Sequence, residues 1–418
     1  MPGMSTLGGP DRLLGDAEVE AFVAGQLAGA DLDGRSVCVL VPDATRVCPL
    51  PLLVGAVHRA LSGRVGRLTV LVALGTHAPL TDDGLARLLG YDADRLAATY
   101  PGTTVRNHEW WDPAAFADLG TIPAARLAEL SGGRLRQDVP VRLNRAVVEH
   151  DVALVVGPVL PHEVVGMSGG NKYFFPGVAG QEIIDVSHWL GALISSAAII
   201  GTTGQTPVRA LIDDGAALIP ARTLALCVVT GDGGGLHSVS FGEPIPAWAE
   251  AAQVAAATHI THLDAPVRRV LSIVPRMYGE MWTGAKGFYK VEPVVADGGE
   301  VIVYAPHITE LASSHPQIHE IGFHCRNYFV ARWDEFTDVH WGVLAHSTHL
   351  RGAGTYDPVT GQERLRVRVT LATGIPAEVC RKVNLGYLDP VSVDVAAYER
   401  DPDTLVVPRA GETLFRLR

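Results

Sequence analysis

The feature that most constrains the fold of this chain is the alternation of short apolar runs with helical patterns across its first 265 residues. Each run, such as 36–41 (SVCVLV) or 68–74 (LTVLVAL), is almost continuously apolar. Strands of that kind are buried on both faces, and the helices between them cover a mostly parallel sheet. We therefore predict the α/β class for this part of the chain, with further strands at 152–156 and 224–229.

A second cycle of strands and helices follows a boundary near residues 261–266. An alanine-rich helix (247–258) precedes the boundary, and a strand (270–274) follows it. The pattern continues with a helix at 285–294, strands at 301–304 and 367–371, and a helix at 377–383. Because 418 residues suffice for two domains, we predict a larger N-terminal α/β domain (1–264) and a smaller C-terminal α/β domain (265–400). We expect the remaining tail, 401–418, to return to the N-terminal domain.

Charge and cysteine content limit the partners of the chain. Its 45 acidic and 34 basic residues give a net charge of −11, which argues against nucleic acid or an anionic membrane as a main partner. The five cysteines form no CxxC pair, so neither a disulfide framework nor a cysteine-based zinc site is expected. The N-terminus lacks the apolar run of a signal peptide, and no run of about 18 apolar residues follows. We expect a cytoplasmic protein.

Two polar loops follow predicted strands in the first domain. The loop VPDATR places Asp43, Thr45 and Arg46 just after the strand 36–41, and GTHAP places His77 just after 68–74. Ligands of open α/β sheets bind at the carboxyl ends of the strands, so these loops are candidates for one shared site. A turn that caps the next helix explains the first loop equally well, and a loop-stabilising hydrogen bond explains His77 as well as general-base catalysis does. For a third loop, NHEWWDP at 107–113, we favour packed tryptophans over a pocket wall.

The most informative segment is PHEVVGMSGGNKYFFPG at 161–177. Its Ser168-Gly169-Gly170 turn can present backbone N–H groups to a phosphate, although the segment fails the Walker pattern. Lys172 follows the turn and is one of only four lysines among the 34 basic residues. His162 precedes this lysine, and His188 comes after a helical stretch (182–187) that suits a metal ligand. The alternative is a glycine-rich turn with incidental histidines. In the second domain, Lys286 opens a helix, where it can meet an anion or simply face solvent.

Together these motifs resemble the nickel-dependent lactate racemase family. The resemblance rests on DATR at 43–46, GTH at 75–77, NHEW at 107–110, the block at 161–177 and the histidine at 188. It implies a nickel-pincer nucleotide (pyridinium-3,5-bisthiocarboxylic acid mononucleotide nickel) attached covalently at Lys172, with His188 as the nickel ligand. It further implies His77 and His162 as the catalytic histidines. By the same resemblance, Thr45 and Ser168, Gly169 and Gly170 hold the cofactor, while Asp43, Arg46 and Lys286 line the substrate site.

The resemblance also implies a reaction and its partners. The expected reaction inverts C2 of a small-molecule 2-hydroxy acid by reversible hydride transfer to the cofactor, with histidines exchanging the hydroxyl proton on either face of a planar 2-keto acid. The domain 1–264 would bind the cofactor and carry catalysis, the domain 265–400 would close over the substrate, and the active site would lie at their interface. Upstream, a carboxylase, a sulfur transferase and a nickel insertase would make the cofactor.

One departure from the family pattern leaves the substrate open. Lactate-specific members have a glutamine three positions before the second-domain lysine, where this chain has Thr283. A substrate larger than lactate, including a sugar acid epimerised at C2, is therefore an alternative. Histidines between 307 and 349 either line a larger polar pocket or cap loops. A metal-dependent hydrolase built on His77, His162 and His188, and a non-catalytic nucleotide-binding protein, are alternatives of other classes. The sequence leaves the oligomeric state and the preferred direction of reaction open.

Overall fold

A computed structural model describes residues 3–231 and 233–418, so residues 1, 2 and 232 of the predicted domain 1–264 lie outside the described residues. The chain forms two units. Unit 1 comprises residues 1–161, 167–187 and 203–258, and unit 2 comprises residues 162–166, 188–202 and 259–418. Two short segments that precede the predicted boundary therefore belong to unit 2.

The first part of the chain has eleven strands and ten α-helices within its described residues. The strands are β1 (Ser5–Gly8), β2 (Ser36–Pro42), β3 (Arg67–Ala73), β4 (Thr103–Asn107), β5 (Phe116–Ile122), β6 (Val139–Asn144), β7 (Val152–Pro158), β8 (Pro161–His162), β9 (Gly166–Met167), β10 (Arg222–Thr230) and β11 (Leu236–Gly242). The helices are α1 (Asp16–Ala28), α2 (Leu50–Leu61), α3 (Asp82–Leu89), α4 (Leu96–Thr99), α5 (Ala124–Leu130), α6 (Arg145–Val148), α7 (Gln181–Ile194), α8 (Ser196–Ile199), α9 (Pro207–Ala216) and α10 (Pro244–His259).

Unit 1 is built on a seven-stranded sheet in the order β1-β11-β10-β7-β2-β3-β4. The five strands from β10 to β4 are parallel, and the last two, β11 and β1, are antiparallel. The central strand β2 is buried from Val37 to Pro42 because both of its faces are covered, which explains its unbroken apolar sequence. The carboxyl ends of β2, β3 and β7 meet at one edge of this sheet, where the predicted site loops begin.

The rest of the chain has nine strands and seven short helices within its described residues. The strands are β12 (Ile260–Leu263), β13 (Val267–Ile273), β14 (Val295–Ala305), β15 (Gly354–Asp357), β16 (Gln362–Leu365), β17 (Arg368–Thr373), β18 (Gly386–Tyr387), β19 (Thr404–Val407) and β20 (Leu414–Leu417). The helices are α11 (Met281–Gly284), α12 (Lys286–Tyr289), α13 (Ile318–Ile321), α14 (Arg326–Ala331), α15 (Trp341–Arg351), α16 (Ala377–Lys382) and α17 (Val395–Arg400).

Unit 2 is built on a five-stranded parallel sheet in the order β18-β17-β14-β13-β19. The α/β class predicted for both parts of the chain is confirmed. In the tail 401–418, β19 pairs with β13 and β20 pairs with β12, within unit 2. Strand β12 lies inside the predicted domain 1–264, so the expected return of the tail to that domain stays a prediction. Apolar side chains at Leu405, Val407 and Leu414 join the core of this unit, and their burial holds the tail there.

The helix predicted at 285–294 is broken. The chain forms the single turn α12 and then a 3₁₀ turn at Glu292–Val294. Pro293 has no backbone N–H and cannot continue an α-helix, which accounts for the break. Among residues 3–231 and 233–418, no helix is both long enough and apolar enough to cross a membrane.

Candidate functional site

His77 is held by Asp43 at the edge of the unit 1 sheet. Asp43 directly follows β2, and His77 lies four residues after β3, the neighbouring parallel strand. Nδ1 of His77 donates to Oδ2 of Asp43 over 2.5 Å. The carboxylate is 9% exposed, whereas the imidazole is 41% exposed. The ring is therefore fixed on one side, and its Nε2 edge faces away from the carboxylate.

The second carboxylate oxygen of Asp43 is occupied by Thr45. The backbone N–H and the hydroxyl of Thr45 both donate to Oδ1, over 3.0 and 2.6 Å, and Arg46 donates to the Thr45 hydroxyl over 3.2 Å. Burial by itself would raise the pKa of Asp43, but the hydrogen bond and charge of His77, together with the charge of Arg46, hold that pKa well below its usual range. Asp43 is thus a permanent carboxylate whose contacts are His77 and its own loop rather than open solvent.

The segment that carries Lys172 packs against the same sheet edge. Lys172 lies in a 3₁₀ turn, Gly170–Tyr173, that contacts β2, β7 and α9. Its side chain is half-buried. The N–H of Gly75, two residues before His77, donates to the carbonyl of Gly177 over 2.9 Å. This hydrogen bond joins the His77 loop to the Lys172 segment.

Tyr173 connects the Lys172 turn to the Asp43 loop. Burial raises the pKa of the Tyr173 phenol, and the charges of Arg46 and Asp43 also act on it. The motifs at 43–46 and 75–77 and the part of the third motif at 167–177 are therefore neighbours within unit 1. Their proximity follows from the parallel order β7-β2-β3, which places the carboxyl ends of consecutive strands side by side.

The predicted phosphate turn is fixed by protein contacts. The Ser168 hydroxyl accepts from the N–H of Leu160 over 2.9 Å and donates to the carbonyl of Pro158 over 3.3 Å. Gly169 and Gly170 have φ of +84° and +57°. A Cβ at Gly169 would lie 2.6 Å from the Val159 side chain, and one at Gly170 would lie 2.9 Å from Trp248. Both glycines are thus required by tight packing as well as by backbone angle. The Ser168 hydroxyl is already hydrogen-bonded to the backbone of Leu160 and Pro158.

The loop at 107–113 differs from its expected packing. His108 is fully buried and bonds Asn144 through Nδ1 over 2.9 Å, and burial lowers its pKa to about 4. Trp110 and Trp111 are 37% and 49% exposed, so the prediction of packed tryptophans was wrong. The Trp110 indole donates to the carbonyl of His77 over 2.9 Å. This contact offsets part of the cost of exposure and supports the His77 loop.

In unit 2, His162 lies among charged neighbours. Its ring is 7% exposed, and its Nδ1 accepts from the N–H of Val164 over 3.2 Å. Glu163 Oε2 is 3.4 Å from the same nitrogen. Burial would raise the pKa of Glu163, but the charges of His162, His349 and Lys286 hold it well below its usual range. Glu163 therefore remains an anion among three basic side chains, a role that the sequence reasoning missed although it lies in the block at 161–177.

His188 lies inside helix α7, not after a helical stretch as predicted. Its side chain is half-buried. His349, from α15, is 3% exposed and shares a short hydrogen bond with the Ser196 hydroxyl. Burial lowers the pKa of His349 to about 4, the carboxylate of Glu163 opposes this shift, and the charge of His188 adds to it. Burial therefore disfavours the charged form of His349, and among the histidines from 307 to 349 it is one that sequence reasoning could not single out.

Lys286 and Thr283 occupy the short helices of unit 2. The Lys286 ammonium lies 4.9 Å from the centre of the Tyr278 ring, a cation–π distance. Thr283 donates its hydroxyl to the carbonyl of Glu280 over 3.2 Å. Trp282, which directly precedes Thr283, is stacked on His346 with ring centres 3.6 Å apart and tilted against His315 with ring centres 4.2 Å apart. This ring is therefore covered on two sides by imidazoles.

Within the described part of the chain, no group of three or more His, Cys, Asp or Glu side chains is arranged to hold a metal ion. The residues that sequence reasoning missed are Glu163, Ser196 and His349 in unit 2 and Arg209 and Trp248 in unit 1. Only Glu163 carries a signal in the sequence, because it adjoins His162. The others lie far along the chain from the motifs they contact.

Sequence comparison relates the N-terminal part of the chain to known proteins. A family model described as the lactate racemase N-terminal domain matches residues 26–201. Curated lactate racemases of Thermoanaerobacterium thermosaccharolyticum and Lactiplantibacillus plantarum are each 24% identical, over 181 and 180 residues. These matches cover 42% and 43% of this chain and 37% and 36% of the two relatives. The matched segment thus spans little more than a third of each relative.

Structure comparison extends the likeness to nearly the whole chain. A crystal structure of a Thermotoga maritima protein has 31% identity and a TM-score of 0.88, and the match covers 99% of this chain and 100% of that one. The lactate racemase apoprotein of Thermoanaerobacterium thermosaccharolyticum has 18% identity and a TM-score of 0.71, with 95% and 93% covered. At that identity the second likeness shows the fold alone. Residues 26–201 are thus similar to the lactate racemase N-terminal domain, and the chain as a whole has the fold of the lactate racemase apoprotein.

Proposed function

We propose that the protein is a racemase or epimerase that inverts C2 of a 2-hydroxy acid and uses a nickel-pincer nucleotide attached covalently to Lys172. The observation that carries the proposal is the His77–Asp43 pair on a loop that is hydrogen-bonded to the Lys172 segment. A fixed imidazole, on a loop that is hydrogen-bonded to the segment of a half-buried lysine, matches the two requirements of this chemistry, a proton acceptor and a covalent anchor. The similarity of residues 26–201 to the lactate racemase N-terminal domain supports the assignment.

The residues of this chain fit such a cofactor by their chemistry. Lys172 offers a half-buried amine that can form the covalent bond, and His188 offers a half-buried imidazole that can add one nitrogen ligand to nickel. When bound, the nickel-pincer nucleotide would supply the hydride acceptor. In this proposal, the phosphate is expected near Thr45 and the turn at Ser168, Gly169 and Gly170, held through backbone N–H groups rather than the occupied Ser168 hydroxyl.

His77 is suited to accept the hydroxyl proton of the substrate. Because Asp43 binds the proton on Nδ1, the lone pair of the neutral ring lies on Nε2. The carboxylate stabilises the imidazolium that forms when Nε2 takes up the proton. A general base of this kind contributes about 10²- to 10⁴-fold to the rate. We therefore assign Asp43 a positioning role in place of direct substrate binding.

His162 is suited to the complementary role. Since the Val164 N–H donates to Nδ1, the proton of the neutral ring lies on Nε2. The ring then begins as a proton donor, whereas His77 begins as an acceptor. Inversion needs one histidine of each kind, and the two exchange roles when the opposite enantiomer is the substrate. Arg46 and Lys286 are the cations proposed to hold the substrate carboxylate.

The second candidate function is C2 epimerisation of a sugar acid with the same cofactor. Thr283, which stands where lactate-specific members have glutamine, turns its hydroxyl to the Glu280 carbonyl. The adjacent Trp282, flanked by His346 and His315, offers an aromatic edge. Because the Thr283 hydroxyl is engaged within the chain, this position lacks the free amide that the lactate-specific glutamine would offer, which favours a substrate other than lactate.

The test is intact-protein mass spectrometry on protein made together with the carboxylase, sulfur transferase and nickel insertase that produce the cofactor. We expect a mass increase in the wild type that is absent from Lys172→Ala. A panel of chiral 2-hydroxy acids and sugar acids is then followed by chiral chromatography, which separates the two candidate functions. Protein without an adduct, or racemisation that persists in Lys172→Ala, contradicts the proposal.

The same material distinguishes the other classes. A metal-dependent hydrolase would retain zinc and hydrolytic activity in Lys172→Ala, which metal analysis and ester hydrolysis would detect. A non-catalytic nucleotide-binding protein would carry the adduct but show no loss of function when both His77 and His162 are replaced by alanine. Our proposal expects both replacements to abolish racemisation and to leave the adduct in place.

A further inference from the structure

Two helices of unit 1 hold the turn that precedes Lys172. Arg209, in the first turn of α9, donates to the carbonyl of Gly169 over 3.0 Å and also donates to the carbonyl of Met167. From α10, the Trp248 indole donates to the carbonyl of Ser168 over 2.8 Å. Three consecutive carbonyls are therefore bound by side chains that lie 40 to 80 residues further along the chain.

The two donors support each other. The Arg209 guanidinium lies 4.1 Å from the centre of the Trp248 ring, which is the cation–π arrangement. The same ring limits the space beside Gly170, because a Cβ at that glycine would lie 2.9 Å from Trp248. At the other end of the turn, Asn171 donates to Asp213 of α9 over 2.9 Å. The turn is thus held at every residue from 167 to 171.

Binding the carbonyls also sets the direction of the N–H groups. In a trans peptide the C=O and the following N–H point in opposite directions. With the Ser168 carbonyl turned towards Trp248, the N–H of Gly169 is turned away from α10. The side chains of α9 and α10 therefore set the orientation of the peptide planes in the turn. Because the 3₁₀ turn that carries Lys172 begins at Gly170, they also set the direction in which that 3₁₀ turn starts.

Burying the charged side chain of Arg209 to hold this loop costs free energy. Arg209 is 2% exposed, and burial lowers its pKa to about 10. Its nearest acidic neighbour, Asp213, is hydrogen-bonded to Asn171, and burial raises the pKa of that carboxyl. Buried charges of this kind are costly, and apolar residues of similar volume often give equal stability. A buried arginine at this place is therefore explained by the conformation it imposes.

We propose that Arg209 and Trp248 are positioning residues that fix the turn 167–171, and through it Lys172, in the conformation required for cofactor attachment before any cofactor is present. The claim about attachment rests on the proposed function, whereas the claim about the turn concerns the apoprotein alone. The Gly169 carbonyl also accepts from the N–H of Lys172 over 3.3 Å, so the side chain of Arg209 and the backbone of Lys172 meet at one oxygen.

The first test is amide hydrogen exchange of the apoprotein. Trp248→Phe keeps the ring under the guanidinium but removes the donor to Ser168, and Arg209→Lys keeps the charge but cannot bind both carbonyls. We expect exchange in the peptide covering 168–175 to rise roughly 5- to 30-fold in each variant, the factor given by loss of one or two hydrogen bonds. Trp111→Phe and Arg145→Lys are matched controls at exposed positions.

The second test is the rate of adduct formation on Lys172, followed by mass spectrometry in the same four variants. We expect attachment to slow at least about fivefold in Trp248→Phe and Arg209→Lys and to stay at the wild-type rate in the two controls. A purely structural role would lower the thermal midpoint and raise exchange throughout unit 1, whereas a positioning role changes exchange only near the turn.

The outcomes separate this inference from the proposed function. Unchanged exchange in 168–175 in both variants overturns the positioning role, as does attachment at the wild-type rate. If the wild type forms no adduct at all, the proposed function is wrong, and hydrogen exchange alone then decides whether Arg209 and Trp248 order the turn. If exchange rises over the whole of unit 1, the two residues are structural and the positioning role is rejected.

Discussion

Replacing Asp43 by asparagine changes one atom beside His77, and the surrounding contacts determine where that atom lies. Oδ1 of Asp43 accepts two hydrogen bonds from Thr45, over 3.0 and 2.6 Å. An asparagine must keep its carbonyl oxygen at this position, because the amide nitrogen would face two donors. The NH₂ group of Asn then replaces Oδ2, 2.5 Å from Nδ1 of His77. A donor there forces the ring proton from Nδ1 to Nε2.

The magnitude follows from the tautomer. With a proton on Nε2, the neutral ring has no lone pair facing the substrate, so the general-base contribution of His77 is lost. Loss of a base costs about 10²- to 10⁴-fold, and a wrong tautomer caused by Asp→Asn in a serine-protease triad costs about 10⁴-fold. We expect kcat to fall within this range. Replacing this charged hydrogen bond by a neutral one also lowers the free energy of unfolding, by about 1 kcal/mol.

The assay combines NMR of ¹⁵N-labelled histidine, which reports the tautomer without any need for turnover, with racemisation kinetics of the cofactor-loaded enzyme. Asp33→Asn is the matched control, since Asp33 is 75% exposed and pairs only with Arg64 among the contacts of the described residues. The buried His108 serves as an internal reference in the spectra. If His77 in Asp43→Asn keeps its proton on Nδ1, or if kcat changes less than about threefold, the reasoning is refuted.

Three further predictions concern other parts of the site. Burial lowers the pKa of His108 from 6.5 to about 4. Between these two pH values the His108 imidazole stays neutral in the folded protein but takes up a proton in the unfolded chain. The free energy of unfolding should therefore fall by up to ~3 kcal/mol as pH drops from 6.5 to 4, and His108→Asn should show a smaller fall in urea denaturation at pH 7 and 4.5. Ser168→Ala should lower the free energy of unfolding by about 1 to 2 kcal/mol, since the N–H of Leu160 loses its acceptor, without weakening phosphate binding; weaker binding with unchanged stability would contradict the contacts of that hydroxyl. His188→Ala should lose nickel, measured by metal analysis of cofactor-loaded protein, and keep its stability within about 1 kcal/mol because alanine suits the interior of α7; an unfolded variant would contradict this.

Local sequence patterns predicted many of the elements correctly. The strands predicted at 152–156 and 224–229 are present within Val152–Pro158 and Arg222–Thr230. The helix predicted at 377–383 is present as Ala377–Lys382. Apolar runs gave the central strands because a strand covered on both faces must be apolar throughout. The errors, at the helix 285–294 and at His188, arose where a proline broke a helical pattern or where a helix continued past its apparent end.

The tail and the interruptions of unit 2 could not be predicted in the same way. Residues 162–166 and 188–202 belong to unit 2 although they lie within the first 264 residues. Strands β19 and β20 are short, and nothing in their sequence specifies which sheet they join. Their pairing with β13 and β12 depends on which edges are open after the rest of unit 2 has folded.

The sequence by itself determined the α/β class, the strands that end in reactive loops, and the residue types on those loops, because each is a property of neighbouring residues. Only the tertiary structure decided the partners of these residues. Asp43 holds His77 across 34 positions, and Trp248 holds Ser168 across 80. Contacts over such separations depend on the order of strands in the sheet and on the helices that cover it, and no pattern within a short stretch of sequence contains that order.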